Sequence, residues 1–170
     1  MAPEARNTRR LIVFGVVSML VLGCQTAPEE VNTLNSRYTD EQPSLSGNGQ
    51  FVAFVSSRGG RSQILLYDLR NRNFVQVRGI TAGATQPSLS RNARYIAYVA
   101  SNQGRSDIFI YDRATQRPEI VSWGYANSIR HPRISPDGRY IVFESDRRGQ
   151  WDIEVLDRGA GIELDRPEGQ

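Results

Sequence analysis

The chain has 170 residues, enough for one domain with short appendages. Its 21 basic residues, all arginine, face 18 acids. From Cys24 onward the balance is 18 against 17, so the body lacks the concentrated positive charge of a nucleic-acid binder. One cysteine excludes a disulfide framework or thiolate metal cluster, and one histidine, His131, removes most zinc, haem and paired-histidine chemistry; this composition disfavours an enzyme and implies no cofactor.

Residues 1–10 carry Arg6, Arg9 and Arg10, and Leu11 to Leu22 form the apolar run LIVFGVVSMLVL. As a helix this run is about 18 Å long, short of the roughly 30 Å hydrocarbon core. A basic start, a short apolar run and a small residue, Gly23, predict an export signal over residues 1–23. The sequence Val21-Leu22-Gly23-Cys24 resembles the lipobox of bacterial lipoproteins. That resemblance implies a diacylated Cys24 as the first residue after cleavage. Gln25 behind it implies the outer membrane. Residues 24–40 are polar and aperiodic, a tether reaching roughly 20–24 Å that places the rest in the periplasm beside a membrane.

Three segments then repeat: PSLSGNGQFVAFVSSRGGRSQILLYD from Pro43, PSLSRNARYIAYVASNQGRSDIFIYD from Pro87, and PRISPDGRYIVFESDRRGQWDIEVLD from Pro132. Their starts are 44 and 45 residues apart, and no gap is needed within the 26-residue unit. The first two are identical at 14 positions and the last two at 9. Each unit predicts a short strand from the proline, then a turn (Gly47-Asn48-Gly49, Arg91-Asn92-Ala93, Pro136-Asp137-Gly138). A strand of β-branched and aromatic residues follows (FVAFVS, YIAYVA, YIVFES), apolar on both faces and so in need of cover on both. A glycine-containing hairpin leads to a third strand (QILLYD, DIFIYD, DIEVLD). A fourth fits FVQV at 74–77, EIVS at 119–122 and, most weakly, GIELD at 161–165.

Four antiparallel strands per 44 or 45 residues is the period of a β-propeller blade. The expected fold is all-β: three four-stranded blades at about 41–80, 85–123 and 130–165, with a tail at 166–170, forming a partial propeller or half of a six-bladed ring. The Pro-x-x-Ser starts, Ser135-Pro136-Asp137-Gly138, Arg139-Tyr140-Ile141-Val142-Phe143 and Arg-x-Gly-x-x-Asp-Ile at 147–153 resemble the WD40-like propeller repeat of the TolB family. The resemblance covers about residues 41–158. It implies an envelope protein that binds other proteins, with peptidoglycan-associated lipoproteins or Tol-type components among its partners. The extra α/β domain of that family is not expected in these 170 residues.

Three blades are fewer than a closed ring needs. A four-stranded face of about 400 Å² at each end would be bare. Either two copies close a six-bladed ring, or the end faces are polar, as terminal repeats often are. Glu144 replaces Val55 and Val99, and Glu154 replaces Leu65 and Phe109, which predicts a partly solvated face on the last blade.

No histidine-dependent triad can be assembled around His131, read here as a loop residue, and there is no G-x-S-x-G elbow. Asp137, Asp146 and Asp152 match turn and hairpin positions, not a calcium loop. The hairpins between second and third strands are richer. Arg58 and Arg61, then Arg105, then Arg147 and Arg148 with Trp151 are expected on one rim, where arginine suits carboxylate and aromatic partners. The leading expectation is a lipid-anchored scaffold without catalysis. The alternatives are a saccharide- or peptide-binding sensor and the noncatalytic propeller of a peptidase assembly.

Overall fold

The computed structural model describes residues 33–123, 128–167 and 169. The signal segment, Cys24 and most of the expected tether lie outside them. All regular structure among the described residues is β, in three antiparallel sheets. The first holds β1 (Asp40–Leu45), β2 (Phe51–Ser56), β3 (Gln63–Asp68) and β4 (Asn73–Val75) in sequence order. The second holds β5 (Thr85–Leu89), β6 (Tyr95–Asn102), β7 (Arg105–Asp112) and β8 (Arg117–Ile120). The third holds β9 (Ile129–Ile134), β10 (Tyr140–Ser145) and β11 (Asp152–Asp157).

The inner strands begin before the prolines that mark the repeat. Proline cannot donate to a ladder, so each sits at a register shift, after a residue with positive φ: Gln42 at 54°, Gln86 at 55° and His131 at 54°. His131 is therefore a strand residue at a bulge, not a loop residue. The serine closing each Pro-x-x-Ser motif fastens the next turn. Ser46, Ser90 and Ser135 each accept at Oγ, at 2.9 Å, the amide hydrogen of Phe51, Tyr95 and Tyr140. Gly138 in the third turn has φ +82°, and a β-carbon there would lie 2.3 Å from the Tyr95 ring, which excludes a larger residue.

The sheets stack through two cores. One face of the first sheet (Ala53, Val55, Ile64, Leu66) meets Leu89, Ile96, Tyr98 and Tyr111 of the second. The other face of the second (Tyr95, Ala97, Ile108, Ile110) meets Ile134, Ile141 and Phe143 of the third. Backbone and side chains also join adjacent inner strands. Gln42 Oε1 accepts from Gln86 N at 2.7 Å, and Gln86 Oε1 accepts from His131 N at 2.6 Å. Ser44 Oγ accepts from Leu89 N, and Ser88 Oγ from Ile134 N, both at 3.1 Å.

The third sheet lacks its expected fourth strand. Residues 161–165 run back across the turns of the second and third sheets. Asp165 is buried there, accepting from Ser90 Oγ at 2.6 Å and from the Asn92 backbone at 2.7 Å and side chain at 2.9 Å. Tyr95 donates its hydroxyl to Glu163 O, and Arg94 pairs with the Glu163 carboxylate. These bonds hold the segment away from the β11 edge.

Glu144 and Glu154 do not share a face. Phe143 stands opposite Glu154 and Glu144 opposite Ile153 in the β10–β11 ladder. Glu144 is on the face turned away from the second sheet, paired with Arg130 at 2.7 Å and His131 at 3.1 Å. Glu154 is on the inward face and pairs with Arg147 at 2.8 Å. Only Glu144 supplies the polar end face expected of both.

Candidate functional site

Sheet stacking brings the β2–β3, β6–β7 and β10–β11 hairpins to one rim. The predicted arginines do not behave alike there. Arg58 is no surface contact: its side chain is 4% exposed. It donates to the carbonyls of Thr33 and Leu34, to Ser56 Oγ at 2.9 Å and to Asp40 at 2.9 Å. Its guanidinium lies over Phe54 and Phe74, 5.6 and 5.0 Å from the ring centres. Arg58 thus covers the outer aromatics of the first sheet and fastens the segment before β1 to them. The sequence gives no warning, because the acceptors precede the repeat.

The other members stay outward. Arg61 is exposed. Arg105 pairs with Asp107 at 3.1 Å and Arg148 with Asp152 at 2.9 Å, each through Nε. The Arg148 side chain remains largely accessible and that of Arg105 partly so. Arg147 is held by Glu154, and Trp151 packs under the Arg130 guanidinium at 3.7 Å. The Arg148 pair lies at the surface and is worth about 0–1 kcal/mol, so it orients a guanidinium without locking it, whereas Arg105 and Arg147 pair with carboxylates that are 0% and 13% exposed. The rim can therefore present arginine forks to carboxylates on another surface.

Beneath the rim, Asp107 is fully buried and accepts from Asn102 at 2.9 Å, Ser122 at 2.8 Å and Arg105. Burial alone would raise its pKa, but those donors outweigh it and hold the carboxyl below its ordinary 3.8. Asp68 and Asp40 are lowered in the same way, burial again opposed by donors, from Asn71 and Gln50 in one case and from Ser56, Ser36 and Arg58 in the other. A carboxyl lowered in the folded state stabilises it above the unfolded pKa and loses that contribution as pH falls through the folded value. The melting temperature should therefore be level from neutral pH to about pH 5 and fall below about pH 4. A level profile down to pH 2 in thermal melts would contradict this.

At the opposite end of the sheets, Arg94, Arg139, Glu163, Leu164, Asp165 and Arg166 contribute to an open cleft of about 670 Å³. Its charges are internally matched. Arg139 bonds Asp157 twice at 2.8 Å and holds that carboxyl at about 2, while Glu163 first, and Asp112 with it, raise Arg94. The cleft exists because residues 161–165 fold back, and their strand-like composition gave no sign of it. No group of three or more metal-ligating side chains occurs among the described residues.

Known structures share this arrangement. TolB from Acinetobacter baumannii matches with 27% identity over 76% of this chain and a TM-score of 0.64. A putative TolB from Agrobacterium tumefaciens matches with 23% identity over 81% and a TM-score of 0.59. The β-propeller domain of the Trilobed protease from Pyrococcus furiosus matches with 21% identity over 71% and a TM-score of 0.57. The chain spans 32%, 50% and 39% of those chains respectively. No protein-family model and no curated protein matches it. The fold is a TolB-like β-propeller arrangement of three sheets.

Proposed function

We propose that this chain is a non-enzymatic, lipid-anchored propeller that holds protein partners in the periplasm of the bacterial envelope, with Cys24 as the lipid attachment point. The observation that carries this reading is the likeness to TolB at 27% identity across three quarters of the chain. The basic, apolar, cysteine-ended amino terminus supports it independently. The contact surface is the hairpin rim of Arg61, Arg105, Arg147, Arg148 and Trp151, without Arg58, whose side chain is occupied within the fold. Its natural targets are acidic or aromatic surfaces of envelope proteins, such as peptidoglycan-associated lipoproteins or Tol-type components.

The test is co-purification of the tagged full chain from detergent-solubilised envelopes, followed by mass spectrometry. Because the chain has no lysine, carboxylate-directed cross-linkers are required. Wild type should recover a discrete set of envelope proteins. The joint R61A and R148A variant, which leaves the buried carboxylates beside Arg105 and Arg147 paired, should lose most of them while melting normally. An unchanged set would remove the rim from the proposal; recovery of no other protein would overturn the scaffold reading. Cys24→Ser should release the chain from membranes, and retention would overturn the anchor.

A further inference from the structure

The two ends of the stack carry the two halves of the interface that the fold already makes twice. In the first and second sheets, Leu66 and Ile110 are 0% and 1% exposed because the next sheet covers them. Their counterpart on the third sheet, Val155, is 61% exposed, and Val142 and Ile153 beside it are exposed as well. On the opposite face the opening lies at the Leu45 end, since Arg58 already covers Phe54 and Phe74. Leu89 and Ile134 are 6% and 9% exposed because the preceding sheet covers them, and their counterpart Leu45 on the first sheet is 60% exposed.

We propose that a second copy of this chain occupies both faces: the outer face of each third sheet packs on the first sheet of the partner. The two contacts, related by a two-fold axis, close a six-bladed ring. This inference does not depend on the envelope function. Three features favour this occupant. Each end is apolar where it would meet apolar surface, at Leu45 on one side and Val142 and Val155 on the other. At the hairpin end both are polar, with Arg58–Asp40 on one and Arg130–Glu144 on the other.

Charge is complementary too. In the third sheet, positions that join the next sheet through Gln42, Gln86, Ser44 and Ser88 hold His131 and Arg133 instead. The first sheet presents Glu41 beside Gln42 on the edge they would face. Neither Glu41 nor Arg133 has an ion pair among the described residues. Area decides between one contact and two. A three-stranded face of roughly 300 Å² gives about 600 Å² per contact, below the stable range, whereas a closed pair buries about 1,200 Å² and enters it. Closed two-fold dimers are also the commonest assembly.

The test is sedimentation velocity of the full chain in mild detergent across micromolar concentrations. Wild type should sediment at twice the protomer mass. Val155→Arg and Leu45→Arg both replace exposed side chains, so both should melt normally yet weaken dimerisation roughly 100-fold by placing an unpaired charge in the contact. Glu41→Arg should weaken it less, and Arg133→Glu in the same chain should restore it. A monomeric wild type overturns the proposal. So does a dimer that Val155→Arg breaks and Leu45→Arg leaves intact, which would mean third sheets packed face to face.

Discussion

Arg58→Ala is expected to lower the unfolding free energy by about 3 kcal/mol and to release residues 33–39 from the first sheet. The magnitude follows from what the alanine leaves behind. Two backbone carbonyls, Ser56 Oγ and the Asp40 carboxylate lose a charged donor, and Phe54 and Phe74 lose the group lying over them. Hydrogen bonds to a charged partner are worth about 1.5–3 kcal/mol each, but several of these acceptors can rehydrate at the surface, so the sum is far from additive. Arg61→Ala, three residues away on the same hairpin, should change stability by no more than about 0.5 kcal/mol. Urea unfolding of the two variants measures the contrast, and trypsin cleavage after Arg37 should accelerate only in Arg58→Ala. Equal stabilities would mean that the cover over Phe54 contributes nothing.

Asp165→Ala should cost a similar amount, about 3 kcal/mol, through a different mechanism. The carboxylate accepts from Ser90 Oγ, from the Asn92 amide and from the Asn92 side chain, with Ser90 and Asp165 buried and Asn92 half-buried. Alanine leaves Ser90 Oγ and the Asn92 amide without this acceptor, while Asn92 Nδ2 keeps the Arg166 carbonyl, and an unsatisfied buried donor costs about 1–3 kcal/mol. The loss should also free residues 161–165, so hydrogen exchange should rise at Asn92 and Asp165, whose amides bond to Asp165 Oδ2 and to Asp137 O respectively. Arg166→Ala, exposed beside it, provides the comparison and should leave both stability and exchange near wild type. A melt of Asp165→Ala that overlays wild type would show that the fold-back segment is not fastened by this carboxylate.

Much of this architecture was readable from the sequence because a repeat states its own rules three times. β2, β3, β10 and β11 occupy the segments expected from alternating β-branched and aromatic residues, and the all-β stack follows from their two apolar faces. The rim was readable for the same reason: a hairpin between two such strands must emerge at one end, so Arg61, Arg105, Arg147 and Arg148 could be placed together. The inner strands were misjudged by up to three residues. A proline ordinarily bounds a strand, whereas here a positive-φ bulge absorbs it within one.

What the sequence determined by itself was therefore local and periodic: the number of sheets, the order of their strands, the serine-fastened turns and the rim they share. What the tertiary structure alone decided depends on contacts between residues far apart in the chain. Arg58 leaves the rim because acceptors at Thr33 and Leu34 fold over it, and residues 161–165 abandon the third sheet because Ser90 and Asn92 offer Asp165 a better-satisfied site. Glu144 and Glu154 separate onto opposite faces because they are an even number of residues apart in sequence but on strands that run antiparallel through a hairpin, where register, not spacing, assigns the face. Composition can state that a group is charged or a strand apolar; only the packed chain states what satisfies the charge and what covers the strand.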